Sequence, residues 1–259
     1  MTFFYAAEAE CFWRMYGEAL DPSRIHIIPN GFDGDVEPFV LPETPKFTIL
    51  YTGTLSDYKY DTFLEALAAF ARLDSSRAQQ IAVHFVGEHE PAFVQRIDEL
   101  ELSEIVSARP PVPHAAVASL QRDAHALLML ERKPSHRGYE LLAGAKLFGY
   151  FKAGRPILGV VPRGEADRVL RDVGVTTVAD VGDVDAICTV LDMMFNTWRA
   201  GRLSTLVPDR HACERYSGKM QAAALARALD GASSLQPFVP GKVDVVPSLK
   251  AEFAAAGWA

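Results

Sequence analysis

Two apolar, β-rich runs in this chain each stop at a glycine, and each is followed by a segment with apolar residues at helical spacing. Residues 47–52 read FTILYT and end at Gly53; residues 60–73, YDTFLEALAAFARL, then carry a helical period. Residues 81–86 read IAVHFV and end at Gly87; residues 91–102 predict a helix with Pro91 in its first turn, where proline is tolerated. The alternation continues with a strand over 106–112, a helix over 114–122 and a strand over 125–130. A helix over 145–154, a strand over 156–161, a helix over 165–173 and a strand over 176–179 come next. Helices over 183–199 and 211–229 close the pattern. Strands that read as unbroken apolar runs are buried on both faces, as in a parallel sheet covered by helices on each side. The expected fold is therefore α/β, with a doubly wound, Rossmann-like parallel sheet centred on residues 46–200.

The 259 residues are 49% hydrophobic and 23% charged, enough for an ordinary core that needs no covalent staples. A net charge of −7 without a long basic run argues against nucleic acid as a partner. Cys11, Cys188 and Cys213 lie too far apart for a metal motif or a disulfide framework and read as small buried hydrophobes. A reducing cytoplasm is the matching compartment. The opening MTFFYAAEAECFW lacks a basic region and carries Glu8 and Glu10, unlike a signal peptide. No uncharged apolar run reaches the roughly 18 residues that a membrane span needs.

Ahead of the sheet, residues 8–19 predict a helix and 25–28 a strand, closed by the turn Pro29-Asn30-Gly31. The acidic, proline-rich stretch from Asp33 to Pro45 reads as a linker. Beyond Gly231 the tail carries Pro237, Pro240 and Pro247 and is assigned no element.

Ligands of such sheets bind outside the carboxyl ends of the strands. At that edge, TGTLSDYK (52–59) offers a glycine that admits close backbone approach and Lys59 as a point charge for phosphate. It reads equally as a tight loop with a solvated lysine, and it is neither GxGxxG nor a P-loop. SHRGYE (135–140) offers cations, an imidazole and a carboxylate that could hold a pyrophosphate leaving group, or a polar loop without a role. His114, after Val112 and Pro113, suits a helix start better than a catalyst, and His26 and His84 read as packed strand residues. In RGEAD (163–167) the acidic first turn itself offsets the helix dipole, which disfavours an anion site. No nucleophile elbow, Ser-His-Asp order or HExxH is present, so no catalytic residue and no metal ligand is assigned.

In order along the chain, these pieces resemble the GT-B glycosyltransferases of family-4 type. IHIIPNGFD (25–33) resembles their "ViPNGvD" segment. ILYTGTL (49–55) with Lys59 and LEAL (64–67) is similar to the first β/α unit of their C-terminal domain, and HFVG (84–87) to its second strand. Val112-Pro113-His114 leading to DAHALL (123–128) resembles "vpH…aDvlL", and KLFGYFKAGRPIL (146–158) resembles "KlfEYlAaGrPil". Residues 211–229 look like the closing helix, so the resemblance spans about residues 8–230.

The resemblance implies a remnant of an N-terminal domain over 1–33, a linker over 34–45, a nucleotide-sugar donor domain over 46–230 and a tail over 231–259. It implies transfer of a sugar, with retention and without metal or cofactor, to a glycan or glycolipid that builds cell-surface polysaccharide. Gly53, Thr54, Lys59 and Arg137 would face the donor diphosphate, and Val112, Pro113 and His114 the base. Gly138, Glu140, Leu141 and Gly149 would line the sugar and ribose. Three departures stand out. The arginine usual after the strand glycine is Thr54. The paired carboxylates fall on Leu141, beside Glu140, and on Gly149, with Lys152 and Glu140 as candidate replacements. A lost carboxylate contact of this kind costs about 1.5–3 kcal/mol. Finally, the acceptor half of the cleft is missing. The chain is thus expected to need a separate N-terminal-domain chain or a second copy, with peripheral membrane contact left open. A non-catalytic nucleotide-sugar module or split-enzyme subunit, and a flavodoxin-like interaction domain, are the alternatives. Residues 8–30 are expected to pack on the 211–229 helix or on a second copy.

Overall fold

The computed structural model describes residues 1–17, 21–55, 60–131, 142–230 and 239–241. It opens with β1 (Thr2–Phe3), α1 (Ala6–Tyr16) and β2 (His26–Ile27), and β1 pairs with β2 in parallel. The main sheet follows: β3 (Phe47–Thr52), α2 (Asp61–Arg72), α3 (Ser75–Gln80), β4 (Ile81–Val86), α4 (Pro91–Glu99), β5 (Val106–Arg109), α5 (His114–Arg122) and β6 (Ala126–Leu130). Then come α6 (Lys146–Ala153), β7 (Ile157–Val160), α7 (Glu165–Asp172), β8 (Val178–Ala179), α8 (Val184–Arg199), α9 (Arg210–Glu214) and α10 (Gly218–Leu229).

The six strands β3 to β8 lie in the order β5-β4-β3-β6-β7-β8, and every neighbouring pair is parallel. This is the doubly wound α/β sheet expected. Its two-residue period divides the core cleanly, because successive side chains of a strand point to opposite faces. Phe47, Ile49, Tyr51, Ile81, Val83, Phe85, Leu128 and Leu130 enter one apolar layer with α2, α4 and α8. Leu50, Val86, Leu127, Met129 and Ile157 enter the other with α6 and α7. Both faces are filled, which is why these strands read as continuous apolar runs.

Several elements depart from the sequence reading. The helix expected over 211–229 is two helices. At the break the Tyr216 carbonyl accepts the N–H of Phe32 (3.1 Å), and Ser217 caps α10 by accepting the N–H of Met220 (3.4 Å). The short polar helix α3 has no apolar period to announce it; Asp74 caps it through the N–H of Ser76 (3.0 Å). Strand β1 is a further addition. With α1 and β2 it encloses a small cluster of its own, in which Ala9 and Ile25 are buried against Phe3, Trp13 and Ile27. This segment meets the C-terminal helices just beyond residue 30. Phe32 bridges to Ser217, and a Cβ on Gly31 would lie 2.3 Å from the Tyr216 carbonyl oxygen.

Residues 34–45 have no regular secondary structure, yet they are strapped to the sheet. The Glu37 N–H donates to the Lys152 carbonyl (2.8 Å). Buried Arg155 donates to the Val40 carbonyl and lies 5.2 Å from the Phe39 ring centroid. The Nδ1 of His125 accepts the Thr48 N–H (3.1 Å) and lies 3.4 Å from the Thr44 hydroxyl. That strap runs along the amino end of the sheet and leaves the carboxyl end to the loops of interest.

Candidate functional site

The direction of winding reverses between β3 and β6, because the chain builds β4 and β5 on one side of β3 and β6, β7 and β8 on the other. Diverging loops leave a crevice at the carboxyl ends of such a pair, where ligands of doubly wound sheets bind. Gly53 follows β3 there and Glu131 follows β6. Gly87 ends the adjacent β4, and its backbone is packed directly on Gly53. At Gly87 a Cβ would lie 2.1 Å from the Gly53 carbonyl oxygen, with φ at +150°. Gly53 has φ +122° and donates its N–H to the Val86 carbonyl (2.9 Å). The two strand-ending glycines are thus a single structural device that keeps this rim made of bare backbone.

Helix α6 brings its first turn to the crevice. Lys146, its first residue, extends over the face of Tyr51 with Nζ 3.5 Å from the ring centroid. A Cβ on Gly53 would be 3.0 Å from the same nitrogen. Burial pushes the Lys146 pKa down to about 7, and the nearby Glu131 carboxylate pulls the other way. Glu131 in turn accepts the N–H of Gly144 through Oε1 (2.8 Å), which fixes the approach to α6. Four residues on from Lys146, the Tyr150 hydroxyl accepts the Thr52 N–H (3.3 Å). Positions i and i+4 share a helix face, so Lys146 and Tyr150 both address the end of β3. Gly149 lies beside that stripe, and a Cβ there would meet nothing within 4 Å.

Of the residues expected at the site, Gly53, Thr54, Val112, Pro113, His114 and Gly149 are described, all but Gly149 on loops or helix starts at the carboxyl edge. Thr54 is exposed and its carbonyl accepts the Tyr51 hydroxyl (2.8 Å). Val112 is half-buried while Pro113 and His114 are exposed, and His114 opens α5. Lys59, Arg137, Gly138, Glu140 and Leu141 lie outside the described residues. Lys152 reaches toward Gly34, where a Cβ would be 3.5 Å from its Nζ. Sequence reasoning misses Lys146 and Tyr51, although Lys146 begins the quoted KLFGYF segment. In RGEAD, Glu165 is buried and accepts the Arg168 Nε–H (3.0 Å), so this first turn is closed by an internal ion pair. Among the described residues no group of three or more His, Cys, Asp or Glu could hold a metal ion, and no helix is long and apolar enough to cross a membrane.

The sequence matches no family model, and no curated protein matches it. Solved structures do. WaaG, a glycosyltransferase involved in lipopolysaccharide biosynthesis, superposes with a TM-score of 0.64 at 18% identity, over 88% of this chain and 61% of its own. Sucrose-phosphate synthase from Thermosynechococcus elongatus gives 0.64 at 14%, over 89% of this chain and 57% of its own. The fold is that of the GT-B glycosyltransferases, over their C-terminal half. A third structure, a mutant of S. aureus TarM in complex with fondaparinux, alpha-GlcNAc-glycerol and UDP, gives 0.59 at 12%, over 80% of this chain and 39% of its own. The chain therefore spans between about two fifths and three fifths of the length of these GT-B neighbours.

Proposed function

We propose that this GT-B chain binds a nucleotide-sugar donor at the β3–β6 crevice and serves as the donor half of a glycosyltransferase that acts on a glycan or glycolipid. The observation that carries the reading is the switch point itself. Two strand ends of bare glycine backbone meet a lysine held at the mouth of α6, an arrangement suited to an anionic, phosphate-bearing ligand. The base would lie toward Val112, Pro113 and His114, and the ribose toward Gly149. Acceptor chemistry and the group at the acceptor hydroxyl belong to a second α/β half, and the reaction inherits its stereochemistry from the GT-B resemblance. One TarM structure carries UDP, which makes a uridine donor the first to try.

A second reading, a nucleotide-sugar-binding module without transfer, is favoured by Thr54 and Gly149, which leave the resemblance's arginine and carboxylate unfilled. Thermal-shift assays with UDP, GDP, ADP, CMP and dTDP test the donor site. Ligand at 100 times its dissociation constant stabilises by about 2.7 kcal/mol, a rise of roughly 5–10 °C for a chain of this size. One nucleotide family is expected to give that rise; no rise for any of the five at millimolar concentration overturns the donor reading. Release of free sugar from the matching nucleotide sugar separates the transferase half from the silent module.

A further inference from the structure

We infer that Lys146 is a positioning residue for the donor diphosphate, supplying at the Gly53 rim the positive charge that position 54 lacks. The inference rests on the donor reading above and adds a residue to it. Three observations on different elements converge. Lys146 Nζ sits at the carboxyl end of β3, and Gly53 leaves room beside it only because it has no side chain. The ammonium lies over the Tyr51 ring, whose negative π-face holds a cation in a fixed position. Tyr150, one turn further along α6, ties the same helix face to Thr52, so the ammonium is held on a rigid frame. By contrast, Thr54 is uncharged and exposed.

The charged and titratable groups facing the ammonium, among the described residues, include Tyr51 from β3 and Glu131 at the end of β6. A diphosphate placed at the rim adds two negative groups and favours the protonated lysine. Binding therefore takes up a proton at and above neutral pH, and diphosphate affinity falls as pH rises from 7 to 9. An arginine in its place stays charged throughout that range.

The test is isothermal titration of wild type, Lys146→Met and Lys146→Arg with the nucleoside diphosphate selected above and with its parent nucleoside, at pH 6.5, 7.5 and 8.5. Methionine removes a desolvated charge and keeps the stem, so the fold is expected to persist; circular dichroism melts check this, and the arginine variant supplies a second, charged comparison. The expected result is a loss of at least tenfold in diphosphate affinity for Lys146→Met with nucleoside affinity within threefold of wild type. Wild-type diphosphate affinity is expected to fall with pH, and that of Lys146→Arg to stay flat. If Lys146→Met binds the diphosphate within twofold of wild type, or loses nucleoside and diphosphate equally, the role of Lys146 is overturned while the donor site stands. Wild type that binds no nucleoside diphosphate overturns the donor reading, and this inference with it.

Discussion

Gly149 shows how much a single position can say. A helix-interior glycine costs roughly 0.5–1 kcal/mol against alanine, and a Cβ here would touch nothing. Gly149→Ala is therefore expected to stabilise the chain by about that amount, read as a higher urea midpoint with unchanged slope; a neutral or destabilising result would mean that the surrounding space is used. Gly87→Ala is the opposite case. Its Cβ would lie 2.1 Å from the Gly53 carbonyl oxygen, in a left-handed backbone region. Backbone strain alone is worth about 1–3 kcal/mol, and the clash adds to it. A melt within 2 °C of wild type would show that the two strand ends can part cheaply. These glycines are legible as strand terminators, and Gly149 as a missing carboxylate, because both signals are local. Lys146 is not. In the sequence it is one more lysine at a helix start; only the packing of α6 against β3 puts its ammonium on Tyr51 and Gly53.

Among the elements, the buried strands can be read nearly to the residue because two covered faces force apolar residues at every position. What escapes is set by tertiary contact. The break between α9 and α10 exists because Phe32 needs the Tyr216 carbonyl, and nothing in residues 211–229 records that need. The stretch read as a linker is a strap, and Arg155 is its anchor. The residue is 2% exposed, donates to the Val40 carbonyl and stacks near Phe39. Arg155→Ala leaves the Val40 carbonyl unpaired and a void beneath Phe39, a loss of roughly 2–4 kcal/mol. Limited proteolysis should then cut between residues 36 and 45 well before the sheet unfolds; simultaneous digestion of strap and sheet would mean the two never separate.

At the scale of the whole molecule, the two edges of the sheet have been given different electrostatic tasks. The carboxyl edge carries Lys146 and the glycine rim, while the amino edge carries His125, buried between Phe47 and Trp198. His125 accepts the Thr48 N–H through Nδ1, so its neutral ring carries the proton on Nε2, where the Pro42 carbonyl accepts it. Protonating Nδ1 would break the Thr48 bond, and burial with nearby Arg155 pushes the pKa down to about 4 from an ordinary 6.5. The sign follows from proton counts. Between those two values the unfolded chain binds a proton that the folded chain refuses, so folding stability is complete above pH 6.5 and falls as pH drops toward 4. The loss at the low end is roughly 2–3 kcal/mol. His84, also pushed down by burial and Arg109, adds in the same direction. Urea midpoints measured from pH 7.5 to 4.5 should fall across that window, with about one proton less uptake on unfolding in His125→Gln. If both proteins lose stability in parallel, the ring is not the titrating group and the strap's end is held by something other than a neutral imidazole. If the difference appears, the amino edge is stable only while His125 is uncharged, whereas the carboxyl edge needs its lysine charged, so donor binding and folding together confine the working range to near-neutral pH.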